Sequence, residues 1–314
     1  MVLSLQHFAL GVPDLKAGAD FYTAFGLDMS EGQNDTLHFR AEGRPHDEVI
    51  LIETGQKRAF QYISFGADEA GIKRIKQKLI DRGIQELDKP FDAAPAGIWF
   101  RDPDGALVNV HKTIPAILQA DTAPLINHPG INNRVNQRGC PPFDTVAKPL
   151  RLGHMILFSP DVMKKAKFYC DVLEMKISDT IEGGYAAFLR TAANPSDHHV
   201  MGIIKSEGPG FHHASFEVAS SDHIAIAARN LLGSDNKGGG RHAWGPGRHG
   251  VGSNFFHYFR DPWNGMAEYF YDIDVIDADY DWETMDWTKK DGMFLWSSDG
   301  MPPKDFGHNY ELDD

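Results

Sequence analysis

Cysteine is scarce in this chain. Only Cys140 and Cys170 occur, and neither belongs to a Cys-x-x-Cys pair. Two are too few for a disulfide framework, so a reducing cytoplasm is the expected compartment. Excess positive charge is missing as well: the formal net charge is −13, which argues against non-specific binding to nucleic acid or to an anionic membrane. No apolar run approaches the length of a membrane span, and the opening MVLSLQHFALGVPDLKAGAD has neither the basic region nor the apolar core of a signal segment. With 42% hydrophobic and 24% charged residues the composition is that of a soluble globular protein, and 314 residues suffice for two domains. Histidine is the residue in surplus, at 15 copies, and its placement carries the functional argument.

The chain repeats itself. HFALGVPDLKAGADFYTAFGLDMS starts at His7 and HMILFSPDVMKKAKFYCDVLEMKIS at His154, an offset of 154 − 7 = 147 that Phe21-Tyr22 and Phe168-Tyr169 keep. Each reads as an apolar strand, a Pro-Asp start signal and a helix. Leu15, Ala19, Tyr22 and Phe25 in one copy, and Val162, Ala166, Tyr169 and Leu173 in the other, fall at helical spacing. FQYISFGAD and FHHASFEVA then align Tyr62 with His213, and helices are expected over Glu69–Arg82 and Ser221–Leu232. Each copy closes on a hairpin, IWFRDPDGALVNVH and HYFRDPWNGMAEYFYD, whose Asp-Pro with Asp-Gly or Asn-Gly is strong turn chemistry. There the offset is 261 − 102 = 159, and the glycine-rich GSDNKGGGRHAWGPGRHGVGSN supplies the insertion.

The expectation is an α+β fold of two domains, each of paired βαβββ modules forming a curved, barrel-like mixed sheet with helices outside. The divisions are 1–112, a degenerate first domain; 113–149, a linker; 150–273, a second domain; and 274–314, a tail. The acidic, aromatic tail carries Trp282, Trp287 and Trp296, has no counterpart in the first half, and is free to pack across a neighbouring surface.

Three matched positions separate the copies. The first has His7, Tyr62 and Asn109; the second has His154, His213 and Glu268. Asn109 and Glu268 each lie seven residues past the Asp of their Arg-Asp-Pro turn. Two imidazoles and one carboxylate on one side of a metal form the facial triad that suits Fe(II) and leaves positions open; Zn or Mn fits similar ligands. Strand residues alternate in direction, so His213 is expected to face the metal and His212 the outside.

These residues resemble those of the two-domain extradiol catechol dioxygenases of the vicinal oxygen chelate superfamily, over about residues 5–272, nearest the homoprotocatechuate and catechol 2,3-dioxygenase branch. The resemblance implies that His154, His213 and Glu268 are the ligands and that the first domain holds no metal. Where the family writes Asp-Gly-Asn after the turn proline, this chain has Trp263-Asn264-Gly265, with unchanged spacing to Glu268. The pair His198-His199 matches a family pair 14 or 15 residues before the second ligand; both fit by spacing, and Gly202 at the small position that follows favours His199 as the acid/base, with His198 as its alternative and as a substrate contact. Within GPGRHGVGSNFFHYFRDP, His249 and Tyr258 resemble the residues that hydrogen-bond substrate and O₂-derived oxygens. Arg248 is expected to order the loop or bind a backbone carbonyl, with a substrate contact as its further role. Trp244 stands where the homoprotocatechuate branch has a carboxylate-binding Arg, and an aromatic there favours a less polar catechol substituent; Arg241, three residues earlier, is the other residue placed to reach substrate.

The implied activity is extradiol cleavage of a catecholic small molecule, both atoms of O₂ entering the product at a mononuclear Fe(II), with Mn(II) as the alternative ion and a muconic semialdehyde type product. Homo-oligomeric assembly is expected with it. Other readings within the fold are a hydroxyphenylpyruvate-type dioxygenase, a zinc or nickel isomerase of glyoxalase kind, and a non-catalytic small-molecule-binding protein.

Overall fold

The computed structural model describes residues 1–33, 35–91, 94–113, 125–233 and 241–313. The start of the expected linker (114–124) and of the glycine-rich insertion (234–240) lie outside the described residues. The first half runs β1 (Val2–Val12), α1 (Leu15–Ala24), β2 (Asp28–Glu31), β3 (Thr36–Arg40), β4 (Val49–Glu53), β5 (Ala59–Ala67), α2 (Glu69–Asp81), β6 (Ile98–Arg101) and β7 (Leu107–Lys112). The second half repeats the plan with β8 (Arg151–Ser159), α3 (Val162–Leu173), β9 (Lys176–Ile181), β10 (Ala186–Arg190), the short β11 (Ser196–Asp197), β12 (Met201–Lys205), β13 (Gly210–Glu217), α4 (Ser221–Leu232), β14 (His242–Arg248), β15 (Phe255–Arg260) and β16 (Met266–Tyr271). The tail adds β17 (Val275–Ile276), β18 (Met285–Trp287), α5 (Lys289–Met293) and β19 (Trp296–Ser297). Among the described residues no helix is long and apolar enough to cross a membrane.

Local chemistry explains the repeated boundaries. The Pro-Asp signals become helix caps: Asp14 accepts from the Ala17 amide at 2.8 Å and Asp161 from the Lys164 amide at 3.1 Å. The two Arg-Asp-Pro turns are built alike. Asp102 Oδ1 accepts from the amides of Asp104 and Ala106, and Asp261 Oδ1 from those of Trp263 and Gly265. Gly105 (φ 89°) takes the left-handed position in the first, and Asn264 (φ 65°), 264 − 105 = 159 residues on, takes it in the second. Asparagine tolerates that conformation, so the changed turn sequence keeps the turn.

Sheet order follows the repeat. The first half forms β2-β3-β4-β1-β5-β7-β6, and the second reproduces it as β9-β10-β12-β8-β13-β16-β15 within a ten-stranded sheet. β14 is the additional strand; its place in the first half is reduced to an isolated bridge between Leu87 and Trp99. Both sheets are mixed, because β1 pairs parallel with β4 and antiparallel with β5, as β8 does with β12 and β13. Tail strands close both edges of the larger sheet, β18 against β9 and β19 against β14, so neither outer strand of the repeat is left unpaired.

One apolar core runs through both halves. Phe25 of the first stacks on Tyr269 of the second at 4.1 Å, and Phe8 stacks on Phe211 at 5.1 Å. Charge is buried at the seam. Lys165 Nζ lies 2.9 Å from Asp102 and 3.0 Å from Asp104, all nearly inaccessible to solvent. On the other side Arg58 faces Asp261 at 3.7 Å and donates to the Phe211 carbonyl. Each turn aspartate thus meets a cation from the opposite half.

Two stability outcomes follow. Lys165→Ala leaves two buried carboxylates without their cation, and chemical denaturation is expected to register a loss of about 3–5 kcal/mol. Glu174 receives Lys78 at 2.9 Å and the Met1 amino group at 3.0 Å. Burial pushes its carboxyl up, but those cations outweigh burial and bring it from 4.5 down to about 2. A depressed acid stabilises the fold above its ordinary range and loses that contribution as pH falls toward the lowered value. Thermal melts should therefore find Glu174→Gln less stable than the parent near neutrality, with the gap closing in acid.

Candidate metal centre

Three adjacent strands set the centre. β13 lies between β8 and β16, with Ser215 opposite His154 on one side and opposite Glu268 on the other. His213 is two residues before Ser215, so its side chain shares their face of the sheet. The result is a buried cluster in which one ligand atom from each of His154, His213 and Glu268 lies within 4.8 Å of the others. Glu268 Oε2 is 3.3 Å from His154 Nε2 and 3.1 Å from His213 Nε2.

Fit to a cation can be tested on the polar atoms. His213 Nε2 is buried and lies close to the carboxylate but outside hydrogen-bonding geometry, so it has no partner. A buried nitrogen without a partner is costly, and a bound cation would satisfy it. Burial pushes the Glu268 carboxyl up, yet the imidazoles of His154, His213 and His249 hold it well below its usual range, so it is an anion. Burial also lowers His213, which keeps the imidazole neutral. Two imidazole nitrogens and one carboxylate suit Fe(II), Mn(II) or Zn(II).

A cavity opens on this cluster. His199 lines it, its ring 4.4 Å from that of His154 and 5.1 Å from Phe188. Burial, then the neighbouring imidazoles of His154 and His198, push His199 well below its usual range. Tyr258 lies across from Glu268 on β15, and its hydroxyl meets His249 Nε2 at 2.9 Å. The other nitrogen of His249, Nδ1, donates to the Met293 carbonyl of the tail. Trp244 is buried in the cavity wall, stacked on Tyr258, and its indole N–H donates to the Gly300 carbonyl at 3.0 Å.

Other expected site residues fall elsewhere. His198 is absent from the cavity wall, because its ring turns to Asp179 at 3.2 Å and to Trp282. Arg241 lies over the Phe21 ring at 5.5 Å, outside the cavity. Arg248 is also outside, paired with Asp272 at 2.9 Å and stacked over Phe255. In these three, a nearer anion or ring claims the side chain that was expected to touch substrate.

His212 corrects the alternation argument. The register between β8 and β13 shifts between Phe211 and His213, a bulge that breaks the alternation. His212 therefore also lines the cavity, between Phe158 and Phe306, with its Nδ1 2.6 Å from His213 Nδ1. The tail supplies Gly292, Met293 and Phe306 to the wall, which no repeat in the sequence could have located. Asn254, whose amide lies 3.5 Å from Glu268 Oε1, was likewise missed. Its place in the GPGRHGVGSN block was the available signal.

Comparisons with known proteins bear on the family and the fold. A family model described as Glyoxalase/Bleomycin resistance protein/Dioxygenase superfamily matches residues 4–110 and 151–269. The chain is 34% identical to metapyrocatechase 2 of Cupriavidus necator, over 99% of this chain and 93% of that protein. In fold it is similar to the substrate complex of homoprotocatechuate 2,3-dioxygenase from Brevibacterium fuscum, at TM-score 0.76 and 20% identity over 98% of this chain and 91% of that one. It is similar also to the Mn(II)-bound glyoxalase from Novosphingobium aromaticivorans, at TM-score 0.75 and 22% identity over 97% and 93% of the two chains.

Elemental analysis provides the test of the cluster. His213→Ala removes one of three ligands and is expected to lose bound metal on desalting, whereas His199→Ala retains it. Equal retention in the two variants would contradict the assignment.

Proposed function

The chain belongs to the glyoxalase/bleomycin resistance protein/dioxygenase superfamily, and from that premise we propose that it is an extradiol ring-cleaving dioxygenase acting on a catechol with O₂. The observation that carries this reading is the buried His154–His213–Glu268 cluster opening on the same cavity as His199, His249 and Tyr258. Its likeness to metapyrocatechase 2 supports it. In this proposal residues 150–273 hold the metal, 1–112 are a copy without one, 113–149 link the two, and 274–314 close the site. A cytoplasmic location and homo-oligomeric assembly belong to the same proposal.

Fe(II) is the ion proposed, held by His154, His213 and Glu268, with Mn(II) as the alternative that these ligands accept. Bound there, the ion would supply Lewis acidity and open positions that bring the two reactants together. The protein does the rest. His199, neutral and close to His154, is placed to take a proton from the bound reactants and to return one to an O₂-derived oxygen. Tyr258 and His249 are hydrogen-bonded to each other at the cavity wall, and the Tyr258 hydroxyl is placed to turn from His249 to a substrate oxygen. The apolar wall excludes water that would compete for the same proton transfers. Both oxygen atoms enter the ring carbons, the bond beside the diol breaks, and a muconic semialdehyde type product leaves.

Anaerobically iron-loaded protein is expected to consume O₂ and form a yellow product with simple catechols. His199→Ala should bind metal normally and turn over roughly 100-fold more slowly or worse, the usual scale for a general acid/base. Oxygen electrode traces and absorbance spectra check both. Absence of uptake with every catechol tried would return the choice to a hydroxyphenylpyruvate-type dioxygenase, an isomerase or a binding protein.

A further inference from the structure

The cavity differs from the rest of the protein surface in what its wall does not contain. Among the described residues lining it there is no lysine, arginine or aspartate, although the chain as a whole is 24% charged. Away from the metal cluster the wall is apolar, with Ile156, Ile181, Phe188, Ile203 and Ile204 from the sheet and Phe306 from the tail. His212 Nε2, buried between Phe158 and Phe306, is a wall atom without a partner and offers a single hydrogen bond rather than a paired charge.

The two arginines nearest in sequence cannot change this without abandoning other contacts. Arg241 covers Phe21, and Arg248 is paired with Asp272 on the outside. Trp244, by contrast, is fixed in the wall by its indole hydrogen bond to Gly300 and by stacking on Tyr258. Tyr185, Ile204, Met293 and Phe306 are shared with a shallower surface pocket, which marks the mouth. The basic side chains of that outer pocket are Lys304 and His308, both exposed.

Resting on the extradiol reading, we propose that the site takes catechols whose ring substituent is uncharged and apolar, such as alkyl or aryl groups, and rejects those carrying a carboxylate. The substituent seats against Phe188, Ile181, Ile204 and Phe306. An ionised carboxylate brought to the same place would be stripped of water with no lysine or arginine among the described wall residues to meet it, Lys289 being held over the Tyr185 ring, a larger penalty than the loss of a methylene contact. Phe306 makes the tail a determinant of this preference, since it packs at once on His212, Trp244 and Tyr258.

The test compares 4-methylcatechol and 4-ethylcatechol with 3,4-dihydroxyphenylacetate and 3,4-dihydroxybenzoate on the full-length, iron-loaded protein. Oxygen uptake gives kcat/KM, and calorimetry without O₂ gives binding of the same four compounds. The alkyl catechols are expected to be favoured at least about 100-fold in both; a smaller ratio overturns the proposal. Ile204→Arg, which sets a cation at the mouth, should narrow the ratio at least tenfold, whereas Lys304→Ala should leave it unchanged. Dependence of the ratio on Lys304 would assign recognition to the rim and overturn the apolar seat. If no catechol is turned over, the extradiol reading fails on uptake while the binding ratio still decides the preference.

Discussion

The register of β8, β13 and β16 is the constraint on which the site depends. Ser215 is the fixed point, with His154 and Glu268 opposite it on either side and His213 two residues before it. A slip of one residue in either pairing would carry one ligand to the far face and dissolve the cluster. The bulge at Phe211–His213 is part of the same arrangement, since it brings His212 to the cavity beside its neighbour.

The first half shows what the same register does with other residues. There Ser64 stands opposite His7 and Asn109, as Ser215 stands opposite His154 and Glu268. Its polar groups satisfy one another: Tyr62 meets His7 Nε2 at 3.2 Å, and Ser64 donates to Asn109 Oδ1 at 2.7 Å. Trp99 and Phe91 pack on Tyr62 and fill the space. In the second half a carboxylate replaces the amide, an imidazole nitrogen is left without a partner, and a cavity takes the place of the packed rings. The two copies differ as a filled cup differs from an open one.

The halves and the tail are held by contacts that no single repeat contains. The turn aspartates Asp102 and Asp261 cap their own hairpins with one oxygen and face a cation of the other half with the second. The tail pairs with both outer strands of the larger sheet and then sends Met293 and Phe306 into the cavity. Edge protection and the shaping of the cavity wall are thus done by one segment.

Much of this was legible in the sequence. Offsets of 147 and 159 gave two copies of one unit, the Pro-Asp signals gave helix starts that Asp14 and Asp161 then capped, and matched positions singled out His154, His213 and Glu268. These are local or periodic properties, which a chain carries wherever it folds. The failures share one cause. His212 was expected outside because alternation assumes an unbroken strand, and Arg241 and His198 were expected near substrate because spacing along the chain does not say which partner a long or planar side chain meets first. The sequence by itself determined the repeated architecture and the cluster of metal-binding type, because pattern and residue chemistry suffice for both. Only the tertiary structure decided that both histidines of the pair face the cavity and that the tail forms its wall. Those outcomes depend on a bulge and on packing between segments distant in the chain.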